Sequence, residues 1–202
     1  ISNYSLVYSN SILIDDNGKS LNKKLSGFRK MKNFIDDSRG FAFHNVVSGH
    51  TMMIKKDLLQ YVLPVPANFY HDWWFAIQAS NVNGIIYLDE TLTLYRQHTD
   101  TVTKTIVDKI TGSRKRTIRY QDYIRDLKWL QLFKENRIEK HRLFYNRLHE
   151  LYLIKNEGRF VWPLFFFLLK NQKIIFLFFK KNLLSKLIEI RKMARGELKN
   201  SD

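Results

Sequence analysis

Apolar and polar positions change period repeatedly along the first hundred residues, and each change marks an element. "YSLVYSNSILID", residues 4–15, carries aliphatic and aromatic side chains at the short period of a strand. "DDNGK" follows as a turn in which Asn17-Gly18 tolerates positive φ. Residues 19–40 are polar, with paired charges and a glycine at 27, and read as a loop with a short helix. "VVSGHTMMIKK" predicts a second strand broken at Gly49, and "KKDLLQYVLP" a short amphipathic helix stopped by Pro64 and Pro66. "DWWFAIQASNVN", from Asp72 to Asn83, predicts a largely buried helix ending near Gly84. "GIIYLDETLTLYRQH" then predicts two short strands around Asp89-Glu90. This alternation indicates an α/β fold over residues 1–103.

The pattern changes from residue 104. A basic connector leads into residues 117–156, which read as helical from apolar positions at Ile118, Ile124, Leu127, Leu130 and Phe133, and again at Leu143, Leu148 and Leu151. After Gly158 comes "RFVWPLFFFLLKNQKIIFLFFKKNLLSKLIEIRK". Its first apolar run, 160–169, holds 10 residues before a polar interruption, whereas a membrane span needs about 20. Phe and Trp beside lysines suit helices lying in the lipid head-group layer. The competing expectation is a core-facing helix pair docked on missing parts of the protein. Residues 104–202 are thus expected to form a basic α-helical tail.

Charge sharpens the division. The 202-residue chain has a net charge of +15. Residues 1–103 hold 10 Lys and Arg against 9 Asp and Glu, and residues 104–202 hold 24 against 10. A tail so basic seeks phosphate on lipid, nucleic acid or nucleotide-linked substrates. A hydrophobic content of 45% is enough to bury a core. The absence of cysteine excludes disulfides, thiol catalysis and Cys-type zinc sites. Strand-like sequence begins almost at Ile1, so an N-terminal part is expected to precede it.

Asp72 poses the chemical question, because "YHDWW" allows two roles for it. Aspartate is a good helix N-cap, and a carboxylate at a helix mouth is also a ready proton acceptor. Histidines stand at 44, 50, 71, 98, 141 and 149. A metallohydrolase built on His50, His71, Asp72 and His98 lacks ligand spacing. No H-E-x-x-H, G-x-x-x-x-G-K-[ST] or G-x-G-x-x-G occurs, and "VVSGH" lacks the first glycine of a nucleophile elbow.

Taken in order, "LVYSNSILIDDNGKSL", "SGHTMMIKKDLLQYVLPVP", "HDWWFAIQAS" and "GIIYLDETLTLYRQH" resemble the second half of the catalytic domain of family 2 glycosyltransferases. The likeness covers about residues 4–98 and is nearest to bacterial rhamnosyltransferase-like enzymes of cell-surface polysaccharide synthesis, O-antigen included. It implies the C-terminal half of a GT-A, Rossmann-like domain that moves a sugar from a nucleotide-sugar donor, with inversion, to a saccharide or lipid-linked acceptor. By the resemblance Asp72 is the general base, and Gly49, His50, His71, Trp73 and Trp74 lie on the acceptor side. Arg96 and His98 fall on the diphosphate side, His98 also as a ligand of a divalent metal, Mg or Mn. The family's Asp-x-Asp metal motif and donor site belong to an N-terminal half that these 202 residues do not contain, so the piece alone is expected to be inactive. The family often has aspartate where Asn10 stands. With the tail, the resemblance implies a peripheral protein on the cytoplasmic, inner face of the cell membrane. The alternative from the basic tail is a non-enzymatic nucleic-acid-binding module.

Overall fold

A computed structural model describes residues 3–97, 119–155 and 159–196. Its sheet is built around β1 (Leu6–Ile14), which is buried along nearly its whole length. One edge of β1 is shared. β2 (Ser20–Lys24) pairs with it antiparallel near Ile12–Ile14, and β4 (Met52–Ile54) near Leu6–Tyr8. β3 (Phe34–Ile35) lies at the far side, antiparallel to β5 (Ile85–Arg96), which runs parallel along the other edge of β1. The two strands expected around Asp89-Glu90 are this single β5. Ser9 pairs with Leu88 but Asn10 with Thr91, so Asp89 and Glu90 bulge from a continuous strand.

The predicted "VVSGHTMMIKK" strand shrinks to β4, because Gly49–Thr51 closes a tight helical turn before it. The expected short helix is α1 (Leu59–Val62), ending before Pro64. The buried helix is α2 (His71–Asn81), and it starts one residue earlier than the sequence pattern indicated. It stops where Gly84 takes φ +80 and returns its N–H to the Ala79 carbonyl at 2.8 Å. A Cβ at Gly84 would stand 2.6 Å from the Phe34 ring and 3.1 Å from the Ile35 carbonyl, so the turn needs glycine twice over.

Among the described residues the second half is helical, as its periodicity predicts, in α3 (Arg119–Glu135), α4 (Arg142–Leu153), α5 (Trp162–Lys170), α6 (Gln172–Ile175) and α7 (Leu183–Met193); the basic connector from 104 lies outside them. The stretch read as helical over 117–156 breaks between α3 and α4. There the chain turns to place Asn136 and Glu139 against α2. Glu139, 7% exposed, accepts hydrogen bonds from Ser38 Oγ (2.6 Å), Asn81 Nδ2 (2.9 Å) and the His141 N–H (2.8 Å). Beside it Asn136 Nδ2 donates to Gln78 Oε1 at 3.2 Å, and the Tyr145 hydroxyl to the Ser38 carbonyl at 2.7 Å.

The larger of two hydrophobic clusters runs through both halves. It joins Leu6, Tyr8, Ile77 and Ile85 to Phe133, Leu148, Leu164, Leu168, Phe176 and Phe178. Phe69 meets the rings of Trp129 and Phe133, and Phe41 meets that of Phe178. Much of the Phe-rich run therefore docks on the α/β half of this same chain. Outside the core, Trp162, Phe166, Leu183, Leu184 and Ile188 are exposed. Among the described residues no helix is long and apolar enough to cross a membrane.

Removing the Glu139 side chain leaves Ser38, Asn81 and the 141 amide without their shared acceptor, at about 1–3 kcal/mol for each donor stranded from water. Glu139→Ala is expected to lose about 3 kcal/mol or more of unfolding free energy in urea titration. Leu143→Ala, at a side chain 84% exposed, should stay within about 0.5 kcal/mol of wild type. Equal midpoints for the two variants would refute the role given to Glu139.

Candidate functional site

A cleft of about 400 Å³ opens where residues 43–50 pass the first turn of α2, with Arg29 and Tyr95 completing the wall. That volume lies in the range of small-molecule sites. Asp72 sits second in α2, whose cap position is Tyr70 with no side-chain cap bond. The expectation of Asp72 as cap is thereby corrected. Its Oδ1 accepts from Asn45 Nδ2 and its Oδ2 from the Gly49 N–H, both at 3.2 Å. A carboxylate has about four lone-pair sites, so each oxygen keeps acceptor capacity toward the cleft.

The loop that holds Asp72 is itself fixed. Asn45 Oδ1 takes the Val47 N–H at 3.0 Å, and Ser48 accepts the Thr51 N–H and hydroxyl. Gly49 packs closely on the helix: a Cβ there would lie 2.7 Å from His71 Nε2, so the exposed His71 ring would have to shift, and 3.7 Å from the Asp72 Cβ. Only glycine lets the loop amide come this near the helix without moving His71.

His50 reaches the opposite way. Its Nε2 is 3.0 Å from Ser11 Oγ, which is 2.8 Å from Thr93 Oγ1, and its ring stacks on Tyr95 with centroids 4.4 Å apart. The residue as a whole is exposed, yet its imidazole pKa is lowered from 6.5, chiefly by loss of hydration among neighbouring atoms, then by Arg29, with Asp72 opposing.

Trp73 forms part of the cleft wall, its indole N–H bonded to the Phe41 carbonyl at 2.8 Å. The other expected residues separate from this group. Trp74, one residue on, donates to the Val62 carbonyl at 3.1 Å and is not among the residues that line the cleft. Arg96 bonds the carbonyls of Asp15 and Asp16. Side chains alternate along a strand, so with Tyr95 in the cleft Arg96 faces away from it. His98 lies outside the described residues. Among the described residues no group of three or more His, Asp or Glu side chains could hold a metal ion.

The sequence pattern did not single out Arg29, Asn45, Ser48, Tyr70 or Tyr95 as site residues. Arg29 is one of several basic side chains in a polar stretch, and only the folded chain sets it apart. Asn10, the departure from the resembled pattern, is buried. Its Nδ2 donates to Ser26 Oγ at 2.8 Å, while its Oδ1 accepts the Ser11 and Ser26 amides at 3.0 and 3.1 Å. It pins the loop that carries Arg29.

The lowered pKa of His50 fixes the sign of a pH effect. Below its ordinary 6.5 the unfolded chain binds this proton more readily than the folded one, so acidification costs stability until the folded group also titrates. Above that pH His50 adds no such slope. Wild type is therefore expected to lose more stability between pH 7 and 5 than His50→Gln, by urea titration at each pH. His149, lowered by burial and then by Lys134, gives a slope of the same sign that persists in the variant. Parallel pH profiles would overturn the assignment to His50. No family model, curated protein or solved structure matches this chain.

Proposed function

We propose that this chain is the acceptor-side part of an inverting family 2 glycosyltransferase. The observation that carries the reading is Asp72, a carboxylate held at a cleft by a side-chain amide and a loop N–H rather than used as its own helix's cap. In one displacement Asp72 takes the proton of an acceptor hydroxyl as that oxygen bonds to the anomeric carbon. The bond from that carbon to the nucleoside diphosphate breaks, and its electron pair leaves with the diphosphate. The donor nucleotide and any metal rest, in this reading, on residues outside this sequence, and no step is assigned to a metal. Attachment to anionic lipid belongs to the same proposal. Exposed Trp162 and Phe166 lie four apart on α5 with rings stacked at 5.9 Å, and Leu184 and Ile188 four apart on α7. These helices also carry Lys170, Lys186, Arg191 and Lys192. Apolar side chains beside cations suit a head-group layer.

The test uses the longest native polypeptide that contains this sequence. Asp72→Asn is expected to bind donor as wild type does and to lose about two to four orders of magnitude in transfer, the range for removing a general base. Equal transfer would end the reading. For the lipid arm, sedimentation with anionic vesicles at low salt should fall in the double variant Phe166→Ser, Ile188→Ser, at two exposed positions where folding is least affected. Wild type that stays in the supernatant would remove membrane attachment and leave the transfer proposal untouched.

A further inference from the structure

The cleft contains a cation with more hydrogen-bonding capacity than the protein uses. Among the described residues the half-buried Arg29 donates only from Nη1, to the Val46 carbonyl and Ser48 Oγ, both at 3.4 Å. A guanidinium has five N–H donors in a planar fork. No carboxylate lies within ion-pair distance of Arg29 among the described residues, and Asp72 acts on it only at longer range. The contrast is Arg39, which sits on Asp37 with three side-chain bonds of 2.7–3.2 Å. None of its nitrogens is buried without a partner, so the unused N–H groups open onto the cleft, where a ligand can take them in place of water.

Its surroundings point to the ligand's chemistry. Arg29 shares the cleft with Ser48, Asn45 and His50, which supply neutral polar groups, and with Tyr70 and Tyr95, whose rings suit the face of a sugar or base. Asn10 holds the 26–29 loop through Ser26, so the guanidinium rests on fixed backbone. The lowered pKa of His50 leaves Arg29 as the permanent positive charge on this wall. We propose that Arg29, with Ser48, forms a phosphate-binding subsite in the Asp72 cleft, taking a phosphate ester of a sugar or nucleotide in bidentate fashion. The subsite's place in catalysis rests on the transfer reading. Its ligand chemistry does not, because binding can be measured without turnover.

Inorganic pyrophosphate is the first probe, titrated calorimetrically into the 202-residue chain at low salt. Wild type is expected to bind it, and Arg29→Gln about tenfold or more weakly. Because a chain of net charge +15 attracts anions anywhere, the location is read separately by NMR. Pyrophosphate should shift the His50 ring protons and the Asn45 side-chain amide of the wild type. No binding, equal affinity in a folded Arg29→Gln, or shifts confined to the lysine-rich helices would each overturn the proposal. Should Arg29→Gln fail to fold, the wild-type NMR titration decides alone. Uridine diphosphate and a hexose 1-phosphate then identify the source. Tighter binding of the nucleotide assigns the subsite to a departing diphosphate, and tighter binding of the sugar phosphate to the acceptor. Loss of transfer in Asp72→Asn with pyrophosphate binding intact, or the reverse, separates the two proposals.

Discussion

Glu139 ties distant segments of the fold together through one buried carboxyl group. Its carboxyl oxygens collect donors from the loop after β3, from α2 and from the start of α4, three segments that sequence keeps up to about a hundred residues apart. A buried acceptor of this kind is costly unless each neighbour is in place. It therefore specifies one arrangement of the helices on the sheet where apolar packing alone would tolerate several. Tyr145 and Asn136 extend the same network, and the core closes around it from Ile77 to Phe133 and Leu148.

That docking is what makes the cleft. With α2 fixed from behind by Glu139 and Trp129, its first turn is held against the 43–50 loop, and Gly49 allows the approach to within hydrogen-bond distance of Asp72. The Phe-rich segment contributes from the other side. Phe178 packs on Phe41, Phe179 meets His44 edge-on at 3.9 Å, and Lys180 donates to the Ser26 carbonyl. The basic half is thus part of the cleft's support as well as a carrier of charge.

The two faces of α2 show why one dipeptide divides between roles. A helix turns by about 100° per residue, so Trp73 and Trp74 leave α2 in different directions, although both meet the Phe69 ring. Trp73 borders the cleft and Trp129, and Trp74 seals α1 through Val62. The same geometry frees Asp72, since its position inside the first turn directs the carboxylate at the loop.

Much of the secondary structure was legible from residues close in sequence: the strand period of 4–15, the helices after 117, the Pro64 stop and the Gly84 turn. The α/β class follows from these alone, and so does the choice of Asp72 as a candidate residue. Boundaries failed where a distant partner intervened. Asp89-Glu90 became a bulge because β1 pairs on both sides of it, and the helical run broke at Asn136 because Glu139 is needed by Ser38 and Asn81. The direction in which Asp72 points, the separation of Arg96 from the cleft and the isolation of Arg29 as an open cation were decided only in three dimensions. Each depends on contacts such as Arg29 with Val46 and Asp72 with Gly49, whose partners no local period or propensity links. Sequence by itself determined which groups exist and how each segment folds; the packing of distant segments decided which of those groups meet.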